Sequence, residues 1–468
     1  NISTKILKNY LYQNFKFHLE SDSSKLLRNL RDEVSQFSHG AILQSLNLIT
    51  ESVIFISIII LLLYFETKFV IISLSIILSL GFIYHILIKS TFQKWGIIRQ
   101  KFASHSLKNA MESVHGIKDI KIFKSENFFL KNYLASMKML AKSNVVVQTL
   151  NQFPRLLLEL FVIIIVCLFI FYNFNDELFN TSLLPSLGLF VVASFKLIPS
   201  LSKILNSLNS LKFTLPATII VKKELTLKNN IKKENINIID NNFSFNKEIK
   251  IESLSFKYSN REAYIFEDIN FKIKKNSLIG ISGESGSGKS TLIDLLIGLQ
   301  EPSKGSILVD GKNLNLNKNL WLDKIGYVPQ KVYITNNSIK NNIALGLDEN
   351  EIDFNRLKIV TEQCELTKLI SKLPEGFDTN LGDRGIVISG GELQRIGIAR
   401  ALYKKSEILV LDEFTSALDD ENELKLIRIL EKLSDDKTII ISSHKKNLFN
   451  LCDSVFLIED KKIFNINE

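Results

Sequence analysis

The stretch Gly283-Glu284-Ser285-Gly286-Ser287-Gly288-Lys289-Ser290-Thr291 lies between two apolar runs, at 277–281 and 292–297. An apolar strand, a glycine-rich turn and a helix, in this order, are the context that a phosphate-binding loop requires. The glycines allow several backbone N–H groups to surround one anion without a Cβ in the way. The helix that follows directs its positive N-terminal end to the same place.

The last three residues of this stretch carry the chemistry. Lys289 adds a positive charge for the outer phosphates, and the Ser290 hydroxyl can reach a magnesium ion. Glycine–serine runs also form plain flexible turns. However, Lys-Ser-Thr in register between two apolar runs favours a functional loop, so the stretch predicts a site for a nucleoside triphosphate.

Two further stretches match this chemistry. The apolar run 408–411 ends in Asp412 and Glu413, and beside a phosphate loop the first can hold magnesium while the second polarises the attacking water. Ser389-Gly390-Gly391-Glu392 forms a second glycine-rich turn before a helix at 393–402, and such a turn can bind another anion. A phosphate loop with a second anion cradle predicts a nucleotide held between two faces.

The first half of the chain reads as a membrane domain. Each of its four apolar spans is close to the roughly 20 residues that cross a bilayer: 42–65, 69–88, 156–172 and 183–202. Residues 69–88 contain no Lys, Arg, Asp or Glu, whereas Glu159 interrupts the third span. Buried core helices are the alternative, but four of them so close together make it unfavourable. We therefore predict a membrane domain at 1–225, a linker at 226–248 and an α/β domain at 249–468.

Loop charges predict the orientation of this membrane domain. Residues 89–155 contain 12 Lys or Arg against 3 Asp or Glu, and the short connections at 66–68 and 173–182 contain one basic residue, Lys68. Positive loops favour the cytoplasm. We thus expect a multi-pass protein of the cell membrane, with 89–155 and the second half in the cytoplasm. Apolar residues recur in 89–155 at helical spacing, so two long helices are expected to extend the membrane spans.

The overall composition agrees with two unlike halves. Of 468 residues, 46% are hydrophobic and 23% charged, which indicates a very apolar part joined to an ordinary one. The net charge of +9 is compatible with nucleic-acid binding, but basic residues occur throughout and the four spans contradict a soluble nucleic-acid ATPase. No nucleic-acid partner is expected. Three distant cysteines, Cys167, Cys364 and Cys452, show no metal-ligand spacing.

Together these motifs resemble those of ABC transporters. Residues 249–468 look like the ATP-binding domain of that family, and the first half is similar to the membrane domain of ABC exporters. The resemblance implies an α-helical membrane domain, with four of the six exporter helices present, followed by an α/β P-loop NTPase domain. The resemblance implies that the first exporter helix and most of the second are absent from this sequence, and the chain begins with Asn1 rather than Met. We therefore expect it to be an N-terminal truncation.

The resemblance also implies a role for each site residue, with ATP and Mg²⁺ as ligands. Tyr258 stands where the family stacks an aromatic ring on adenine, and Gln330 where a glutamine contacts magnesium and relays to the membrane domain. Glu413 and His444 match the catalytic glutamate and the switch histidine. Asp419 belongs to the loop that crosses the dimer. Ser290, Gln330 and Asp412 would bind the metal.

The signature motif departs from the family pattern at its ends. The family sequence is Leu-Ser-Gly-Gly-Gln, and here Ile388 and Glu392 take the outer positions. Ser389, Gly390 and Gly391, which contact the partner's ATP in the family, are retained. We expect a competent signature, so a symmetric homodimer is the simplest assembly.

The transported substrate can be inferred only from a resemblance to one group of exporters within the family. The stretches 17–30, 117–121 and 127–130 look most like exporters that flip lipid-linked oligosaccharides, and 112–118 resembles the segment that docks on the ATPase domain. Export of another lipid or of a peptide is the alternative, and an ABC ATPase that gates a membrane complex is a less favoured one. Lys196, inside the last span, is predicted to face the substrate path, to extend to the inner headgroups, or to pair with Glu51 or Glu159.

Overall fold

The computed structural model describes residues 1–65, 67–173, 183–227, 243–259, 261–382, 388–415 and 420–466. The chain divides into two compact units, Asn1–Asn230 and Ile231–Glu468. Most of the predicted linker, 228–242, lies outside the described residues.

The first unit is helical. Its helices are α1 (Ile2–Leu11), α2 (Phe15–Glu20), α3 (Ser23–Tyr64), α4 (Thr67–His115), α5 (Ile117–Ile122), α6 (Glu126–Asn173) and α7 (Leu183–Leu225). Helix α4 has 49 residues and α6 has 48, so each is about 70 Å long, more than twice the hydrocarbon thickness of about 30 Å. The prediction of two long helices that extend beyond the membrane spans is confirmed.

Four helices in the described part of the chain are long and apolar enough to cross a membrane: Ser23–Tyr64, Ser75–His115, Glu126–Cys167 and Val191–Leu225. Their common core includes Leu62, Leu158 and Leu201, all buried. At Gly96 a Cβ would lie 2.1 Å from the Phe213 carbonyl oxygen. Glycine at this position therefore allows α4 and α7 to touch.

A buried polar network joins three of these helices. Glu33 on α3 accepts a hydrogen bond from Arg99 Nη2 on α4 at 2.9 Å, and its other oxygen lies 3.6 Å from Arg28 Nε. Asn29 Nδ2 donates to Glu224 Oε1 on α7 at 3.1 Å. Removing one member would leave a buried charge without its partner. The network thus favours a single arrangement of α3, α4 and α7.

The second unit contains two sheets. Its strands are β1 (Glu248–Phe256), β2 (Phe266–Lys274), β3 (Leu278–Gly283), β4 (Lys304–Val309), β5 (Lys312–Asn313), β6 (Ile325–Val328), β7 (Ile408–Asp412), β8 (Thr438–Ser442), β9 (Ser454–Glu459) and β10 (Lys462–Asn465). One sheet has the order β10-β9-β3-β8-β7-β6 and is parallel except for β10; the other, β2-β1-β4-β5, is antiparallel. Every residue of β7 and β8 is buried, as expected of a parallel sheet covered on both faces.

Helices accompany the parallel strands. They are α8 (Lys289–Leu296), α9 (Lys318–Lys324), α10 (Ile339–Ile343), α11 (Phe354–Gln363), α12 (Thr367–Lys372), α13 (Gly390–Tyr403), α14 (Asp420–Ser434) and α15 (Lys446–Phe449). The predicted α/β class is confirmed. Phe243 and Phe245 are buried against Trp321, with ring centroids 6.4 and 6.0 Å away. The second unit therefore includes residues that the sequence assigned to the linker.

Candidate nucleotide site

The phosphate loop lies between β3 and α8, as the apolar runs predict. Gly286 and Gly288 adopt φ values of 84° and 109°, which side chains with a Cβ rarely tolerate. A Cβ on Gly288 would also lie 2.7 Å from Ile265 Cγ2. Lys289 is only 4% exposed, and its Nζ donates to the carbonyl oxygens of Gly283 and Glu284 at 3.0 Å each. These two hydrogen bonds hold the ammonium group of Lys289 at the loop, where it would neutralise a bound phosphate.

Asp412 lies beside this loop because of the strand order. The parallel register pairs Asp412 at the end of β7 with Ser442 at the end of β8, and the Ser442 hydroxyl donates to Asp412 Oδ1 at 2.6 Å. Ser290 Oγ lies 3.3 Å from the same oxygen. Two of the three residues predicted to hold the metal, Ser290 and Asp412, therefore meet at the carboxyl edge of the sheet, where ligands of open α/β sheets bind.

Glu413 contacts three other side chains of the site. Its carboxylate lies 3.0 Å from His444 Nε2, 3.5 Å from Lys289 Nζ and 3.1 Å from Gln330 Nε2. The backbone of Glu413 adopts φ 44°, a left-handed conformation that is uncommon without glycine. Such strained residues cluster at active sites. The structure brings together four side chains that are far apart in the sequence.

The electrostatics around Asp412 favour a cation. Burial and the nearby Asp412 carboxylate raise the pKa of Asp294 on α8 to about 6. Burial, with the charge of Asp412, also raises the pKa of Tyr327 on β6. A cation bound beside Asp412 would reduce the unfavourable interaction between the two carboxylates. Among the described residues, no group of three or more His, Cys, Asp or Glu is placed so that it could hold a metal ion.

These residues fit Mg²⁺, which usually binds proteins through one or two carboxylates together with substrate phosphates. Asp412 would supply the carboxylate, and Ser290 and Gln330 would supply a hydroxyl and an amide oxygen. The buried Ser287 hydroxyl has no hydrogen-bond partner within the described residues, as expected of a donor that faces a phosphate.

The signature turn lies at the start of α13. Ser389 is the N-cap of this helix, and Glu392 completes a capping box by accepting from Ser389 N and Oγ, both at 2.8 Å. The departure from glutamine thus keeps the local geometry, since Glu and Gln both complete such a box. Ser389 and Gly390 are exposed. They lie on the surface, as a contact to a second copy requires.

Of the other predicted site residues, one lies at the phosphate loop, one lies outside the described residues, and one lies in the first unit. The Tyr258 hydroxyl lies 3.1 Å from Thr291 Oγ1, which places Tyr258 at the end of the phosphate loop. Asp419 lies outside the described residues. Lys196 is exposed on α7, and Glu51 forms an ion pair with Lys203, at 2.6 Å.

Three residues of the site were missed by the sequence analysis. Ser442 aligns Asp412, Asp294 lies one turn after Ser290 on α8, and Gln394 Nε2 donates to the Gln330 carbonyl oxygen at 2.8 Å. A signal existed for Ser442, because it ends an apolar strand two residues before His444. None existed for Gln394, which becomes a neighbour of Gln330 only through packing.

Two family matches cover most of the chain: the ABC transporter transmembrane region over 1–196 and the ABC transporter family over 266–416. ABC transporter B family member 29 (chloroplastic) of Arabidopsis thaliana is 38% identical over 221 residues, which is 47% of this chain and 35% of that protein. An ATP-dependent lipid A-core flippase of Ralstonia nicotianae is 37% identical over 218 residues, which is 46% of this chain and 37% of the length of that flippase. The chain thus spans about a third of the length of these curated relatives.

A solved structure extends the likeness to both units. A bacterial Atm1-family ABC exporter with ATP bound superposes with a TM-score of 0.81 at 20% identity, covering 98% of this chain and 80% of the other. Fold and site define the class: a P-loop nucleotide-binding domain joined to a helical membrane domain. The chain belongs to the ABC transporters, carries both of their regions in one polypeptide, and has the fold of an exporter.

Proposed function

We propose that the chain hydrolyses ATP and couples hydrolysis to the export of an amphipathic lipid, as a homodimer. The observation that carries this proposal is the cluster of Lys289, Gln330, Glu413 and His444 in a chain whose other unit has four membrane-length apolar helices. A phosphate loop alone would support nucleotide binding. A carboxylate held by a histidine and an amide beside that loop supports hydrolysis.

Each side chain has a separate task in this reaction. Lys289 neutralises the outer phosphates, and Glu413 orients and polarises the attacking water. His444, 3.0 Å from Glu413, holds that carboxylate and reaches the γ-phosphate. When bound, magnesium supplies positive charge between the phosphates. Ser389 of the partner subunit contacts the same nucleotide, so two copies close only around ATP and reopen after hydrolysis.

The substrate class is inferred from the relatives. A lipid A-core flippase is among the proteins that this chain resembles, which supports an amphipathic lipid. We propose a lipid-linked oligosaccharide, on the likeness of residues 17–30, 117–121 and 127–130 to exporters of such lipids. A different lipid or a peptide would use the same ATPase site.

Reconstitution tests this function directly. The full-length dimer is placed in proteoliposomes, and ATP-dependent movement of labelled polyprenyl-linked sugars, lipid A-like lipids and peptides is measured. We expect ATP-dependent transport of a lipid-linked sugar, abolished in Glu413→Gln. Stimulation of ATP hydrolysis by a peptide alone would exclude the lipid proposal, and hydrolysis without transport of any substrate would exclude export.

A polar cluster on α7 indicates where an anionic headgroup can bind. Lys196, Ser200 and Lys203 lie on one face of this helix. Glu51 on α3 accepts from Ser200 Oγ at 2.9 Å and from Lys203 Nζ at 2.6 Å, and it interacts electrostatically with Lys196. Two lysines lie near one carboxylate, so the cluster has an excess positive charge at the end of the last predicted span. Ionisable residues at membrane depth are usually functional.

The substitution Lys196→Gln is therefore expected to reduce lipid-stimulated ATP hydrolysis about three- to tenfold, the worth of one charge-assisted contact, and to leave basal hydrolysis unchanged. Lys212→Gln, an exposed position further along α7, is the matched control and should behave like the native protein. Unaltered stimulation in Lys196→Gln would instead mean that Lys196 only extends to the inner headgroups.

A further inference from the structure

Helix α13 connects two parts of the nucleotide machinery within one chain. Its N-cap, Ser389, is exposed on the surface. Gln394, five residues later in the same helix, is buried in the domain. The side chain of Gln394 is 7% exposed, and its Nε2 donates to the Gln330 carbonyl oxygen at 2.8 Å. The Gln330 side chain in turn donates to Glu413 at 3.1 Å. Two hydrogen bonds thus join the signature helix to the proposed catalytic carboxylate.

The packing around this link is tight enough to transmit a displacement. A Cβ on Gly397 would lie 2.9 Å from Val332 Cγ2 and 3.1 Å from Val328 Cγ1, so glycine allows α13 to lie directly on the segment that carries Gln330. Arg400 Nη2 donates to the Tyr333 carbonyl oxygen at 2.9 Å. Close-packed interiors transmit small shifts rather than absorb them. A shift of α13 therefore moves the Gln330 loop with it.

We infer that Gln394 is a positioning residue that couples the two ATP sites of the dimer. The inference rests on the proposed function, in which Ser389 contacts the partner's ATP while Gln330 and Glu413 act on the chain's own. ATP bound in one site fixes α13 through Ser389. Gln394 then fixes the Gln330 loop, and Gln330 aligns Glu413 in the other site. Binding of the first nucleotide thereby favours a competent second site, which is positive cooperativity.

The variant Gln394→Leu tests this link without threatening the fold. Gln394 Oε1 is buried and finds no hydrogen-bond partner among the described residues, so replacing the amide by an apolar side chain removes an unsatisfied acceptor. The Gln330 carbonyl oxygen loses its donor, but Gln330 is exposed and water can replace that bond. The variant is expected to fold and to bind ATP.

ATP hydrolysis by the full-length dimer is measured against ATP concentration. We expect a Hill coefficient of about 1.5–2 for the native protein and about 1 for Gln394→Leu. The control is Gln300→Leu, which removes another buried amide, 5% exposed and with no partner for its Nε2 in the described structure. It should keep the native Hill coefficient.

The outcomes separate this inference from the proposed function. A native Hill coefficient retained in Gln394→Leu, or an equal loss in Gln300→Leu, overturns the coupling role while the dimeric site stands. A non-cooperative native protein that still shares its sites between copies overturns it as well. Whether each ATP site is formed by two copies is tested separately, with the mixed dimers described below.

Discussion

Glu413→Gln is expected to lower ATP hydrolysis by about 10²–10⁴-fold, the usual contribution of acid–base catalysis. ATP binding should persist, and the variant should accumulate as a closed dimer. The amide keeps the size of the carboxylate and can still contact His444 and Gln330. It lacks the negative charge that orients and polarises water, so only the chemical step is lost.

Single-turnover hydrolysis and equilibrium ATP binding, measured on the same preparation, check this expectation. Glu407→Gln is the matched control: Glu407 pairs with Lys324 away from the phosphate loop, and its loss should change hydrolysis less than about twofold, as for exposed ion pairs. Native turnover in Glu413→Gln would show that another group activates the water.

The parts of the site that the sequence predicted are those encoded within short segments. The loop at 283–291 requires only consecutive residues and two flanking apolar runs, and Asp412 with Glu413 ends one apolar strand. The helices could be predicted equally well, because the length of an apolar run and the spacing of apolar residues are local properties of the sequence. The capping role of Glu392 was not predicted, although its position three residues after Ser389 is the local pattern of a capping box.

The unpredicted parts depend on contacts between distant segments. Asp412 meets Ser442 only because β7 and β8 are neighbours in register, and nothing near either residue fixes strand order. Arg99 and Glu224 meet the polar segment around Glu33 and Asn29 only through helix packing. Asn29 and Glu33 are therefore buried in the first unit, although their polar surroundings in the sequence do not indicate it.

Sharing of each site between two copies predicts the behaviour of mixed dimers. Lys289 contacts the carbonyl oxygens of its own loop and lies 3.5 Å from Glu413, whereas Ser389 is exposed at the start of another helix. If Ser389 completes the partner subunit's site, Lys289→Ala in one chain and Ser389→Ala in the other place both defects in the same site. The second site then remains intact.

The reciprocal mixed dimer carries both substitutions in one chain and a native second chain. Each site then has one defect, so activity should fall to the background of the doubly substituted homodimer. The first mixed dimer should retain up to about half of native hydrolysis, since one of two equivalent sites is intact. Both dimers are isolated with two different affinity tags and assayed at saturating ATP. Because they contain the same two substitutions, effects on folding and expression are matched, and only the assignment of Ser389 to a site differs. Equal residual activity would mean that Ser389 serves its own chain or no nucleotide.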